Sequence, residues 1–366
     1  MIIPVVFYIF VLFAGIQIAY YFIFSSVFFA KKSSKSHSKN PISVIIFAKN
    51  SAENLRNFLP NILTQNYPNY EVVLIDNNST DKTERVIKSF AKNHSNIRVV
   101  NVENNEAFWG SKKYALTLGI KAAKFDHLLF TEANCKPVSE NWISEMSKNF
   151  SEEKSIILGY STFAYEKSFA SFLIRFYQFI TSLQYLNFAK LGIPMMADGK
   201  NLAYKKTEFY NAKGYINHMK HEFGEDDLFI QDASNQSNTT FTIDKSSFTE
   251  CANSSSFKNW FSILKKKVLL KKRYQFKHRF LLGLFSVSKL FFYVLGILLV
   301  FFYPYQIIIT IIAAYFLVQF IVIGIAAKKM EEKNLIYFLP ILDISFLLIQ
   351  ISIFIANLTS KPTRWK

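Results

Sequence analysis

Four long apolar runs constrain this chain more than any other feature of it. Residues 2–30 are almost wholly apolar, with Gln17 the only strongly polar side chain before Ser25. Residues 280–303, 305–327 and 335–358 form three more such runs, the last interrupted by Asp343. A helix crosses the hydrocarbon of a bilayer with about twenty apolar residues, and each run is long enough. Buried helices of soluble domains are usually shorter. The first run lacks the basic start of a cleaved signal peptide and is too long for one, so it reads as a retained anchor.

Charge orients the spans. The chain has a net charge of +17. Lys31, Lys32, Lys35 and Lys39 follow the first run, and Lys265, Lys266, Lys267, Lys271, Lys272, Arg273, Lys277 and Arg279 precede the second. Excess Lys and Arg mark cytoplasmic flanks. The intervening residues 31–279 are therefore expected in the cytoplasm and the N-terminus outside. Lys328, Lys329 and Lys333 agree with four spans, whereas Lys361, Arg364 and Lys366 fall on the wrong side. Basic charge beside membrane spans points to anionic lipid head groups and excludes a nucleic-acid stripe on a soluble domain. The two cysteines, Cys135 and Cys251, have no metal-ligand spacing. A cytoplasmic domain is expected to keep them as thiols.

The middle of the chain reads as an α/β domain. Residues 42–47 and 72–75 are apolar enough for buried strands, and each leads through a polar turn into a helix. The first helix is expected from Ser51 or Ala52 with Glu53 in its first turn, the second from Thr80 or Asp81. Residues 97–103 and 127–130 read as further strands. The helix between them, 110–124, has Ala115, Leu118 and Ala122 on one face. Strands alternating with helices imply a mostly parallel sheet covered on both faces. Ligands bind such sheets at the carboxyl ends of the strands, where Glu53, Asp76 and Glu132 fall. In "TEANC" (131–135), Glu132 and Asn134 would leave an extended backbone on the same side, and Pro137 stops the strand. Residues 168–192 read equally as an interfacial helix and as a core helix. "GEDDL" (224–228) reads as a solvated loop, a cation site or a catalytic base.

Taken together, "SVIIFAKNSAENL", "VLIDNNSTDKT", "SKKYALTLGIKAA", "LLFTEANCKP", "GKNLAYKK" and "GEDDL" resemble a membrane-bound glycosyltransferase of family 2, with the Rossmann-like GT-A fold. The resemblance runs over residues 42–282. It implies an inverting hexosyltransferase of cell-envelope polysaccharide or glycolipid synthesis. The donor would be a UDP- or GDP-sugar, the acceptor a lipid or polysaccharide, and the cofactor Mg2+ or Mn2+. Glu53 and Asp76 would face the nucleoside, and Lys112 and Lys266 the diphosphate. Gly199 and Asn201 would line the acceptor side. Asp226 would be the base, with Asp227 and Glu225 beside it. Lys112 also reads as a solvated helix lysine, and the lysine run 265–267 as lipid contact.

Two departures stand out. Glu132 and Asn134 replace the family's Asp-x-Asp, where the second acid ligates the metal. An Asn oxygen offers a hard cation a ligand without charge. Ile263, Lys266 and Lys267 stand where relatives carry Gln-x-x-Arg-Trp, which loses the bidentate Arg fork. These departures keep open an alternative, a weakened or inactive scaffold that binds nucleotide or a partner. The expected organisation is an anchor over 1–30, a GT-A domain over 31–257 and a basic juxtamembrane segment over 258–279. Transmembrane helices over 280–358 and a basic tail over 359–366 follow, in a multi-pass protein of a bacterial inner membrane.

Overall fold

The computed structural model describes residues 2–29, 40–103, 112–221, 223–252 and 256–359. The basic clusters at 31–39 and 361–366, together with Gly110 and Ser111, lie outside the described residues. By contacts the chain divides into two units. One comprises residues 1–31, 167–187 and 255–366, the other residues 32–166 and 188–254.

The first unit is helical. It contains α1 (Ile2–Ser25), most of α6 (Phe169–Lys190), α9 (Phe257–Leu270), α10 (Phe276–Phe302), α11 (Tyr305–Lys329) and α12 (Leu339–Thr359). Four stretches, Ile3–Phe28, Phe276–Phe302, Tyr305–Lys329 and Lys333–Thr359, are long and apolar enough to cross a membrane. Their polar residues meet inside the bundle. Lys289 of α10 lies 2.5 Å from Asp343 of α12, and both are buried. Tyr293 and Tyr315 donate to the other Asp343 oxygen at 2.7 and 3.1 Å. Gln319 donates to the Tyr21 hydroxyl, so this knot joins α1, α10, α11 and α12. Lys289 was passed over in the sequence, where the apolar residues around it mask it. The segment read as interfacial or core, α6, packs within this helical unit. Its Arg175 pairs with Glu332 at 2.5 Å, and Phe176 and Tyr177 meet Phe346 of α12.

The second unit is the α/β domain. In chain order it holds β1 (Ile42–Ala48), α2 (Ala52–Leu63), β2 (Tyr70–Asp76), α3 (Thr83–Asn93), β3 (Ile97–Asn101) and α4 (Lys112–Ala122). Then come β4 (His127–Glu132), β5 (Cys135–Pro137), α5 (Trp142–Ser147), β6 (Ile156–Leu158), β7 (Ser161–Phe163) and β8 (Leu202–Lys205). It closes with α7 (Lys206–Asn211), α8 (Asp227–Ala233), β9 (Thr239–Phe241) and β10 (Thr249–Cys251). The main sheet has the order β3-β2-β1-β4-β8-β6-β9, and β5, β10 and β7 form a smaller one. Strand alternation explains the layers. Ile42, Val44, Ile46 and Ala48 join a core with Leu55, Leu59 and Ile62 of α2, Val86 and Ile87 of α3, and Trp142 of α5. Ile45 and Ile75 point the other way, onto Gly119 of α4.

Three local expectations are corrected. The second helix starts at Thr83, because Asp81 is used elsewhere: its carboxylate accepts from the Thr83 and Ala52 amides. The buried face of α4 is Ala115, Leu116, Gly119 and Ile120 rather than Ala115, Leu118 and Ala122. A Cβ on Gly119 would come within 2.3 Å of Ile75, so the bare backbone is what presses against the sheet. Finally, Cys135 and Cys251 form a disulfide. Their sequence separation of 116 gave no pairing signal, but β5 and β10 run antiparallel with these residues opposite each other.

Two outcomes follow for stability. With a loop of 116 residues, Cys251→Ser should cost about 4 kcal/mol relative to the oxidised protein. Denaturation midpoints should converge once both are reduced with dithiothreitol. In the helical unit, Lys289→Met leaves Asp343 buried without its counter-ion and should cost about 3–5 kcal/mol. Adding Asp343→Leu should restore most of the thermal stability in detergent; a double variant no better than the single would refute the pairing.

Candidate active site

The site is built on the carboxyl edge of the main sheet. β1 runs parallel to β2 and β4, with Ala48 opposite Asp76 and Phe47 opposite Glu132. Asp76 and Glu132 thus end strands on either side of β1, about 10 Å apart at two strand spacings. Helices that return between parallel strands start at this edge, so the first residue of α4, Lys112, arrives beside Glu132.

Lys112 is the centre of the site. Its Nζ lies 2.6 Å from Glu132 and 2.8 Å from Glu225. Burial works to lower the Lys112 pKa, but the two carboxylates outweigh it and hold the ammonium well above its ordinary value. Burial likewise works to raise Glu132 and Glu225, and Lys112 outweighs it and holds both below the usual range. All three groups are therefore charged. They line one pocket with Phe47, Tyr215, Gly199 and Asp226. The space left among them is about 20 Å³, room for one water-sized group.

Asp226 is held from two sides. Its Oδ1 accepts from the Asp227 amide at 2.8 Å, capping α8, and its Oδ2 accepts from the Gly199 amide at 3.1 Å. Gly224, two residues earlier, has φ +92°, a left-handed conformation that a residue with a Cβ avoids. The preceding segment is tied down by Lys113. Its buried Nζ donates to the carbonyls of His218, His221 and Phe223 at 3.1, 2.5 and 2.7 Å. Burial pushes the Lys113 pKa down to about 8, against the pull of Glu225 and Asp226. The twin lysines of α4 thus divide the work, one bridging the glutamates and one anchoring the acid loop. Sequence reading noticed only the first; the adjacent lysine at a helix start was the signal available for the second.

The remaining expected residues are placed as follows. Glu53 is exposed in the first turn of α2. Asp76 is buried and accepts from the Ser79 amide at 3.1 Å. The loops carrying them are stitched together: Asn50 accepts from the Thr80 amide, and Ser79 accepts from the Asn50 amide. Gly199 borders the pocket. Asn201 does not. It is fully buried, donating to the Tyr160 and Ser247 carbonyls at 2.7 Å each and accepting from the Trp142 indole at 3.1 Å. Its amide is consumed inside the fold, whereas the resemblance would put it on the acceptor side. Asp227 accepts from the Ala197 amide at 3.3 Å. Lys266 belongs to α9, in the helical unit. Asn134 occupies a turn, not an extended strand, so strand alternation does not aim its side chain along with Glu132. Its carbonyl accepts from the Ala252 amide at 2.8 Å.

These residues do not fit a divalent cation. Glu132 is already paired with an ammonium, Asn134 is a neutral amide, and the other pocket carboxylates, Glu225 and Asp226, are bound to Lys112 and to two backbone amides. Among the described residues no group of three His, Cys, Asp or Glu side chains is placed to hold a metal.

The chain is similar to known glycosyltransferases. Residues 43–220 match glycosyl transferase family 2. A stretch of 131 residues is 27% identical to the glycosyltransferase GlyG of Streptococcus pneumoniae, covering 36% of this chain and 42% of that one. A stretch of 136 residues is 29% identical to the poly-beta-1,6-N-acetyl-D-glucosamine synthase of Staphylococcus epidermidis, covering 34% and 32%. The chain thus spans less than half the length of these curated relatives. In structure it is similar to the mannosyltransferase PcManGT of Pyrobaculum calidifontis, solved in complex with GDP-Man and Mn2+. The TM-score is 0.62 at 14% identity, over 98% of this chain and 99% of that one.

Asn201→Ala should cost about 3 kcal/mol, since it removes three buried hydrogen bonds and strands their partners. The check is the denaturation midpoint; an unchanged midpoint with altered acceptor kinetics would put Asn201 back on the acceptor side. The domain at residues 43–220 thus matches glycosyl transferase family 2, and the fold is of the GT-A kind.

Proposed function

We propose that this chain is an inverting membrane glycosyltransferase. It moves a sugar from a UDP- or GDP-sugar to a lipid-linked or polysaccharide acceptor, with Asp226 as general base. The observation that carries this reading is the convergence of Asp226, Glu132, Glu225 and Lys112 on one pocket at the strand ends. Acids and a base at the carboxyl edge of a parallel sheet are where such a fold holds a ligand.

The reaction needs one proton acceptor and one place for leaving charge. The acceptor hydroxyl oxygen attacks the anomeric carbon on the face opposite the diphosphate. Its proton passes to the Asp226 carboxylate. The bond from the anomeric carbon to the diphosphate oxygen breaks, and the electron pair leaves on that oxygen. Two backbone amides hold Asp226 in place, which fixes its aim at little entropic cost when substrate arrives. Asp76 and Glu53 are assigned to the nucleoside, where an ionised oxygen accepts strongly from base or ribose donors.

The domain is assigned to the cytoplasmic side on the Lys and Arg that precede α10. In that compartment the Cys135–Cys251 couple would be kept reduced and would close on exposure to air. The apolar helices are assigned to anchoring in a bacterial inner membrane, where a lipid-linked acceptor is at hand.

The purified full chain should release UDP or GDP from some member of a broad nucleotide-sugar panel. Asp226→Asn should lower that turnover by about 10²–10⁴-fold, the range for a positioned general base, while nucleotide binding persists. Wild-type turnover in the variant would move the base elsewhere. Nucleotide binding with no turnover of any donor would favour the scaffold reading instead.

A further inference from the structure

We propose that the Lys112 ammonium, not a divalent ion, is the cation that meets the donor's diphosphate in this enzyme. The inference rests on the donor-site reading above and deepens it.

The argument starts from what occupies the cation position. Lys112 Nζ sits 2.6 Å from Glu132 and 2.8 Å from Glu225, so one positive charge bridges the strand-end acid and the acid of the base segment. A divalent ion coming to Glu132 would have to displace that ammonium or settle beside it against its repulsion. At the position of the family's second acid, Asn134 brings no charge. Loss of the second acid weakens a metal site, while the ammonium keeps both of the carboxylates it bridges.

The ammonium can also do the work. It has three protons and no lone pair. Glu132 and Glu225 accept two of them, which leaves the third for a phosphate oxygen. The ammonium itself lies over the Phe47 ring, 5.3 Å from its centre, a contact that favours its charged form. Lys112 opens α4, and a helix N-terminus adds its own favourable field for an anion. As the bond to the anomeric carbon breaks and its electron pair moves onto the diphosphate, Lys112 meets the growing charge. That is the service a metal performs in a metal-dependent transferase. The two glutamates position Lys112 and keep it charged; they do not contact the sugar in this scheme.

The test is calorimetry of UDP and GDP binding to the full chain in detergent, with EDTA and with Mn2+. The proposal expects affinity in EDTA within about twofold of that in Mn2+. Lys112→Met should lose about 10–100-fold in either buffer, the value of a charge-assisted contact. Lys112→Arg should retain most of the affinity, which separates lost charge from lost folding. The double variant Lys112→Met/Asn134→Asp should regain binding in Mn2+ and lose it in EDTA. Wild-type binding that needs Mn2+ would overturn the Lys112 assignment and leave the donor site standing. Binding of neither nucleotide in either buffer would remove the donor site, and this proposal with it.

Discussion

Register between three parallel strands is the constraint on which the site depends. Main-chain hydrogen bonds set Ala48 opposite Asp76 and Phe47 opposite Glu132, so the acids end their strands almost level. A slip of one residue would exchange the side chains packed on α2 and α3 for those packed on α4, and the fitted buried side chains of β1, β2 and β4 oppose it. Since returning helices begin at the same edge, α4 delivers its first side chain, Lys112, to an acid on β4. Chemistry at this edge is a consequence of topology before it is a consequence of any single residue.

Much of this was legible in the sequence, for physical reasons that also explain the failures. Apolar runs of strand length at 42–47 and 72–75, each followed by polar turns, gave β1 and β2 to within two residues at either end. The acids after the strands could be named because loops at that edge are short. What the sequence hid was the direction of side chains in turns and the partners of buried polar groups. Asn134 looked like an extended neighbour of Glu132, but the backbone turns there. Asn201 looked like a loop residue, yet its amide crosslinks Trp142, Tyr160 and Ser247. Cys135 and Cys251 meet only because β5 and β10 are antiparallel, a pairing that no local pattern encodes. Non-local contacts of this kind have no period along the chain.

The helical unit obeys the same rule in a different solvent. Apolar side chains cannot distinguish one helix neighbour from another in a bilayer, since lipid is as apolar as they are. Polar groups can. Lys289, Asp343, Tyr21, Tyr293, Tyr315 and Gln319 hold one another, and together they fix which faces of α1, α10, α11 and α12 turn inward. Asp343, which in the sequence only interrupted an apolar run, is the acceptor for most of that knot. A charge pair fully used in packing is a poor element for an ion pathway, so the knot supports an anchoring role for these helices.

The departures from the family pattern make sense as one set rather than as separate losses. If Asp-x-Asp had decayed without compensation, Glu132 would be an acid lacking any cation, and burial would push it toward its neutral form. Instead it is held ionised by Lys112, and the same lysine holds Glu225. The longer Glu side chain then has a purpose. From the same backbone position it reaches further than Asp, which allows a strand-end carboxylate to touch the ammonium at the start of α4. Asn in place of the second acid adds no further negative charge to a site where Lys112 already faces two carboxylates. Substitution of the acids and placement of the lysine therefore form one electrostatic arrangement, in which an ammonium holds the place beside Glu132.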